Sequence, residues 1–348
     1  LSGCGPAGGS QGAFDASSEE NGKLKVAVTL FPYYDFVRQI AGDQVDLQMV
    51  IPAGMDSHSF EPTPADIRTI QHADVLISNG GTMEHWLEDT LGALDTSNMT
   101  IVTMMDYVDT VEEEIVEGME DVGHDHDHAH SHAAADDHDH SHETPEEHAA
   151  HAQEADDHDH SDYVDHDGHE EAIEYDEHIW TSPVNAMKLV DVIGETLAEA
   201  DPAHAEVFRQ GAADYKKELE EIDAGFREVS RNRKRNMIVM GDKFPFRYLA
   251  DEYQLDYRAA FSGCSSDTEP SAKTIAYLID KVKEEQIPVV YYLELSSHRV
   301  SEIIGEETGA EPLLLHSCHN VTRAQFDAGI TYAGLMRQNI ENLRKGID

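Results

Sequence analysis

Twice along this chain, short β-rich runs alternate with helix-length amphipathic stretches, and that order leaves few folds open. The first series has candidate strands at Lys25–Leu30, Val45–Ile51, Val75–Ser78 and Thr100–Thr103, with helical stretches Tyr33–Ala41, Pro64–His72 and Met83–Leu91 between them. The second has strands at Met237–Met240, Leu255–Ala260, Val289–Leu293 and Pro312–Leu315, and helices at Pro245–Tyr253, Pro270–Glu285, Val300–Glu307 and Thr322–Arg344. Strand–helix–strand order implies a largely parallel sheet covered by helices. Between the series, Pro183–Glu199 reads as a helix returning to the first lobe. Asp201-Pro202 then offers an N-cap acceptor and a proline suited to a first helical position. From there to about Arg231 only Gly211 and Gly225 interrupt the pattern. A helix of roughly thirty residues spans about 45 Å, enough to cross a whole protein. The predicted fold is α/β: two (βα)-type lobes, 23–200 and 236–348, each with a largely parallel four-stranded sheet. One long, rigid helix over 201–235 joins them. The length of 348 residues suits two such cores.

Charge narrows the partners. The chain carries 70 acidic against 24 basic residues, a formal charge of −46. That argues against nucleic acid, whose binding rests on Lys and Arg neutralising phosphates, and against a basic patch docking on anionic lipid. It suits metal ions. The charge is also concentrated: from Asp109 to Glu177 there are 27 acidic residues and no Lys or Arg. Of 22 histidines, 14 fall between His124 and His169, alternating with Asp. Imidazole suits zinc, copper and nickel, and dense carboxylates attract any divalent cation. With few large apolar residues, this loop over 109–177 is expected to stay disordered without metal and to serve in capture or sensing. The plain alternative is a solvated acidic linker.

Eight histidines remain: His58, His72, His85, His178, His204, His298, His316 and His319. Ligands of α/β folds bind beyond the carboxyl ends of strands, which sorts these eight. His58 follows the strand Val45–Ile51, and His178 precedes a helix. His298 follows Val289–Leu293, while His316 and His319 follow Pro312–Leu315. His72, His85 and His204 fall in helices and read as surface or packing residues. A closed zinc site needs about four N, O or S donors, and Asp242 or Glu294 could add a carboxylate. Spacing alone leaves His298, His316 and His319 open between ligand and structural roles. There is no HExxH pair and no Ser or Cys nucleophile in a recognisable setting, which counts against a metal-dependent hydrolase.

No run of eighteen apolar residues is present. Leu1–Cys4, Leu-Ser-Gly-Cys, resembles the end of a bacterial lipoprotein signal, in which the cysteine is lipidated. Residues 1–22 then read as a Gly/Ser-rich tether, implying an extracytoplasmic chain anchored to the bacterial cell membrane through Cys4. In such a chain the other two cysteines, Cys264 and Cys318, invite a disulfide, since both follow predicted strand ends in the same half. Two reduced, buried thiols are the alternative.

The sequence also resembles a known family, the zinc/manganese-type solute-binding lipoproteins of bacterial ABC transporters. The likeness rests on PAG…HSFEPTPADI around His58, on HIWTSP with its following helix around His178, and on DTEPSAKTIAYLID at Asp267–Asp280. The acidic loop just ahead of His178 adds to it, and its histidines are similar to the zinc branch. The resemblance implies two lobes joined by a rigid helix, one metal in the cleft between them, and His58 and His178 as ligands. It implies a third ligand, His or Glu, opening the segment MGDKFPFRYLA, but Gly241 stands there, followed by Asp242. It implies a fourth, commonly Asp, near His316. Half the usual shell is therefore altered, and His298 is the expected third ligand, with Asp242 or water completing the set and His316 in reserve.

The implied function is capture of Zn²⁺ outside the cytoplasm and its delivery to an ABC permease driven by an ATPase, by a monomer with no enzymatic activity. Mn²⁺ remains open through the family's other branch, and Ni²⁺ and Cu²⁺ through the Irving–Williams order. A surface zinc reservoir or adhesin is the competing reading. Each imidazole must be neutral to bind, so affinity is expected to fall steeply as pH drops through the histidine range. A stiff linking helix restricts hinge closure, so release is expected to move the ligand-bearing loops.

Overall fold

The computed structural model describes residues 14, 22–119, 174–265 and 269–348. Cys4, most of the tether, the histidines from His124 to His169 and Asp267 lie outside the described residues.

In the first lobe, β1 (Leu24–Val28), β2 (Val45–Met49), β3 (Val75–Ser78) and β4 (Thr100–Thr103) form one sheet in the order β2-β1-β3-β4. Every pairing is parallel, with central Val26 opposite both Leu47 and Val75. The connecting helices are α1 (Phe31–Ala41), α2 (Pro64–Gln71) and α3 (His85–Gly92). Helix α2 starts where Thr63 and Asp66 form a reciprocal capping box, with Pro64 at the first helical position.

The second lobe repeats the plan. Strands β5 (Met237–Phe244), β6 (Asp256–Ser262), β7 (Val289–Tyr292) and β8 (Glu311–Leu314) lie in the order β6-β5-β7-β8, again all parallel. Helices α6 (Arg247–Tyr253), α7 (Ala272–Glu284) and α8 (Arg299–Thr308) connect them. Strand β5 runs past the expected end at Met240, and its register shifts between Met240 and Lys243. Such irregularities re-aim side chains at a strand end.

Between the lobes lie α4 (Pro183–Ala200) and α5 (Ala205–Asn232). The long helix begins three residues after the expected Asp201-Pro202 start, because Asp201 instead closes α4 and turns back onto Ala203 and His204. It packs against α4, α1 and α6, and against the C-terminal helix α10 (Tyr332–Ile347). Gly211 is a packing point rather than a break, since a Cβ there would meet the Ile40 carbonyl oxygen at 2.1 Å. The single helix expected over Thr322–Arg344 is two, α9 (Arg323–Asp327) and α10. The chain between them is held on the first lobe. Arg38 Nη2 donates to Ile330 O at 2.6 Å, and the Tyr332 amide donates to buried Asp35 at 2.7 Å.

Two further expectations are corrected. Part of 109–177 is ordered: Glu112 and Tyr175 form an antiparallel bridge, with the Glu113 amide donating to Glu174 O and the Asp176 amide to Val111 O, both at 2.9 Å. Residues with opposed partners across the insert's two ends satisfy their backbone there. Cys264 and Cys318 are both free thiols. They follow β6 and β8, which occupy opposite edges of the second sheet. Three strand spacings separate those edges by roughly 14 Å, whereas a disulfide needs Cα atoms within about 7 Å.

Candidate metal centre

A cavity of about 210 Å³ opens at the carboxyl ends of strands from both lobes. His58, His178 and His319 line it, with Asp56, Asp242 and Lys243. The ring centroids stand 5.7 Å apart for His58–His178, 5.5 Å for His58–His319 and 5.9 Å for His178–His319. Three imidazoles from three distant stretches of chain therefore face one another.

Each ring is set by its own local device. His58 sits in a single 3₁₀ turn, Ser57–Ser59, whose start is capped by Asp56 accepting the His58 amide at 2.9 Å. His178 is buried, and Asp176 Oδ1 accepts both its backbone N–H at 2.9 Å and its ring Nδ1–H at 3.1 Å. A carboxylate on Nδ1 fixes the tautomer and leaves Nε2 for a metal. The neighbouring Glu177 carboxylate accepts from the Thr82 amide, the Thr82 hydroxyl and the Met83 amide, tying this loop to the end of β3. Gly263, after β6, lets the second lobe approach: a Cβ there would lie 3.2 Å from both Asp176 Oδ2 and His178 Nδ1.

His319 comes from a tight turn after β8. Cys318 adopts φ 60°, and its amide donates to His316 Nδ1 at 2.9 Å, while the His319 amide donates to Ser317 Oγ at 3.2 Å. A non-glycine residue in the left-handed region is uncommon and marks a constrained turn. The His319 ring then stacks on Trp180 at 5.6 Å and 20°, and its Nε2 shares a hydrogen bond with Ser57 Oγ. Among the described residues, Asp56, His58 and His319 offer ligand atoms all within 4.8 Å of one another.

The structure does not bring the other expected ligands to this cluster. His298, the expected third ligand, caps α8 with φ 60°, and its ring stacks on Tyr292 at 3.9 Å. The reserve, His316, is buried with its Nδ1 occupied by the Cys318 amide, and its main chain is held by Asn339 through bonds of 2.8 and 2.7 Å. Asp242 does line the cavity, but its two oxygens accept the Lys243 and Leu293 amides at 3.1 and 3.3 Å. Glu294 is engaged likewise, by the Ser317 amide and hydroxyl. Gly241 could carry no ligand, because a Cβ there would meet Ser301 Oγ at 2.5 Å and its nitrogen at 2.8 Å. The sequence pattern does not decide His319 and does not mark Asp56 or Lys243 as site residues. The signal for His319 was the second histidine of HSCHN, which lies beyond the tight turn, whereas the first packs under it.

Electrostatics prepares two of the three rings. His58 is lowered to about 4, mainly by burial, then by the charges of His178 and Lys243, against opposition from Asp56 and Asp176. His319 is held well below the usual imidazole value by burial, then by His58, His178 and Lys243. His178 differs: burial alone would lower it, but Asp176, Glu177 and Glu113 together raise it. At neutral pH two rings are open lone-pair donors, and the third holds a proton most readily. Three imidazoles in one cavity with a carboxylate at its rim make a site for a borderline-soft divalent cation.

Residues 26–346 match the family described as "Zinc-uptake complex component A periplasmic". The chain is 33% identical over 327 residues to zinc-binding protein AdcA of Streptococcus pyogenes, covering 94% of this chain and 56% of that protein. It thus spans little more than half the length of that relative. It is 27% identical over 332 residues to high-affinity zinc uptake system protein ZnuA of Bacillus subtilis, covering 95% of this chain and 90% of that one. Among solved structures, the Zn(II)-bound ZnuA-like domain of Streptococcus pneumoniae AdcA superposes with a TM-score of 0.67 at 26% identity, covering 94% of this chain and 99% of that domain. The metal-dependent lipoprotein YcdH of Bacillus subtilis gives 0.68, also at 26% identity, covering 93% and 99%.

Proposed function

The chain belongs to the family of zinc-uptake complex component A, and from that premise we propose that it captures Zn²⁺ outside the cytoplasm and hands it to an ABC permease powered by an ATPase. The observation that carries this reading is the convergence of His58, His178 and His319 on one cavity between the lobes. In this reading the three imidazoles hold the ion, and the Asp56 carboxylate lies within reach of two of them. The ion is cargo. Neutral imidazoles favour zinc over manganese, which prefers carboxylate and carbonyl oxygen. The names of the relatives, zinc-binding and zinc-uptake proteins, support the same metal. The family is one of transport components, so the site serves capture rather than catalysis.

Release follows from what the ligands stand on. His58 and His319 sit on short turns after β2 and β8, while α5 is packed along both lobes. Opening those turns costs less than bending a packed helix of 28 residues. In this reading the chain works as a monomer held at the membrane by lipid on Cys4.

Titration of a variant lacking residues 120–170 with Zn²⁺, Mn²⁺, Ni²⁺ and Cu²⁺ tests the reading. One tight equivalent of zinc should survive the deletion and vanish in His58→Ala. Loss of all zinc binding with the deletion would place the main site in the histidine-rich stretch and refute this account. A growth test separates uptake from storage: deleting the gene should slow growth in zinc-starved medium, and unimpaired growth would favour a surface reservoir.

A further inference from the structure

The cavity holds a cation where a cation site should not have one. Lys243 lines it beside the three histidines, on the irregular end of β5, two residues after the crowded Gly241. Among the described residues its ammonium makes no hydrogen bond and no ion pair, its backbone amide alone donating to Asp242. The carboxylates that share the wall are committed elsewhere: Asp242 to two backbone amides, Glu294 to the Ser317 amide and hydroxyl. Asp56, whose Oδ1 accepts the His58 amide, is the remaining acid. A divalent ion on three neutral rings would therefore be repelled by the Lys243 charge, which already acts on His58 and His319. Such repulsion is strong where water is scarce.

Space points the same way. The cavity is about 210 Å³, while a single water needs roughly 10–15 Å³ on that measure. The room exceeds what a bare ion and one or two waters would fill. With Asp56 kept on the His58 amide, three protein nitrogens leave a tetrahedral ion one position short, and open positions on zinc are taken by an exogenous ligand.

Resting on the zinc reading above, we propose that this site takes zinc together with an anionic oxygen ligand, a small carboxylate, which completes the metal's coordination and is held by the Lys243 ammonium. The substrate is then a metal–acid complex rather than the naked ion. Lys243 is the positioning residue for the acid. Its charge, next to the metal, makes capture of zinc depend on the anion. Ammonium–carboxylate pairing is charge-assisted and costs the lysine no competing partner.

Equilibrium dialysis of the metal-free full chain with radiolabelled zinc and radiolabelled citrate tests this, with labelled phosphate and bicarbonate as the inorganic arms. The double variant H58A/H319A defines retention by the rest of the chain. The wild type should retain citrate only when zinc is present, one acid for each zinc lost in the double variant. Lys243→Met should keep the zinc, release the acid and bind zinc without acid about tenfold more tightly. Lys243→Arg should restore acid retention. Retention of phosphate or bicarbonate in place of citrate would assign the same subsite to an inorganic anion and refute the carboxylate. Equal zinc affinity in wild type and Lys243→Met, with no anion retained by either, would overturn the inference and leave the zinc reading intact. Equal zinc retention by wild type and H58A/H319A would instead sink the zinc reading itself.

Discussion

The two lobes share one strand order and one all-parallel pairing, yet they furnish the cavity differently. The first lobe and the insert bring two histidines, each steered by an aspartate two residues earlier, Asp56 for His58 and Asp176 for His178. The second brings His319 on a constrained turn and Lys243, whose ammonium is unpaired among the described residues, from a strand end whose backbone is pressed against α8. Topology decides which strand ends meet at the cleft. Local backbone geometry decides which side chains reach it.

The largest effect separating the halves is expected at His178. His178→Ala should weaken zinc binding about a thousandfold, or about 4 kcal/mol, read by competition with a chromogenic chelator in the variant lacking residues 120–170. Next, Asp176→Asn keeps the ring but loses the charge that fixes its tautomer, and affinity should fall about 10- to 100-fold. An unchanged affinity would mean that Asp176 serves the fold rather than the metal.

Proton competition sharpens the contrast further. The sequence implies a steep fall in affinity through the histidine range, but His58 at about 4 and the strongly lowered His319 are neutral well below pH 7. His178 is the one raised. A proton must leave His178 for zinc to bind, so affinity should drop about tenfold per pH unit once the pH falls below its titration. The slope should steepen only near pH 4, where His58 joins. Zinc titrations at half-unit steps would show a two- or three-proton slope near pH 6 if this assignment were wrong. The smallest effect is expected at His298, which stacks on Tyr292 outside the cavity. His298→Ala should leave zinc affinity within about twofold, since a residue without contact to the ion adds no binding term.

Much of this was legible in the sequence. Strand runs such as Val75–Ser78 and Thr100–Thr103 were placed to the residue, because fully apolar or β-branched runs bounded by turns have one comfortable state. His58 and His178 could be named, since the turns that carry them are written in short segments with their own caps. The second lobe's contribution could not. Choosing between His316 and His319 depends on a single left-handed residue, Cys318, in the turn between them. Excluding His298 depends on Tyr292 claiming its ring. The disulfide failed on strand order, which pairs neighbours across the whole sheet and is silent in the residues themselves. Lys243 is not legible in the sequence because a register shift, invisible in a pattern of apolar residues, precedes it at the end of β5 that lines the cavity.

The most direct trial of the account is a crystal structure of the zinc-loaded chain with an anomalous difference map at the zinc edge. One peak should stand about 2.0–2.1 Å from a nitrogen of each of His58, His178 and His319, with non-protein density between the ion and Lys243. A peak bound instead by His298 or His316, or one that touches the first lobe alone, would contradict it.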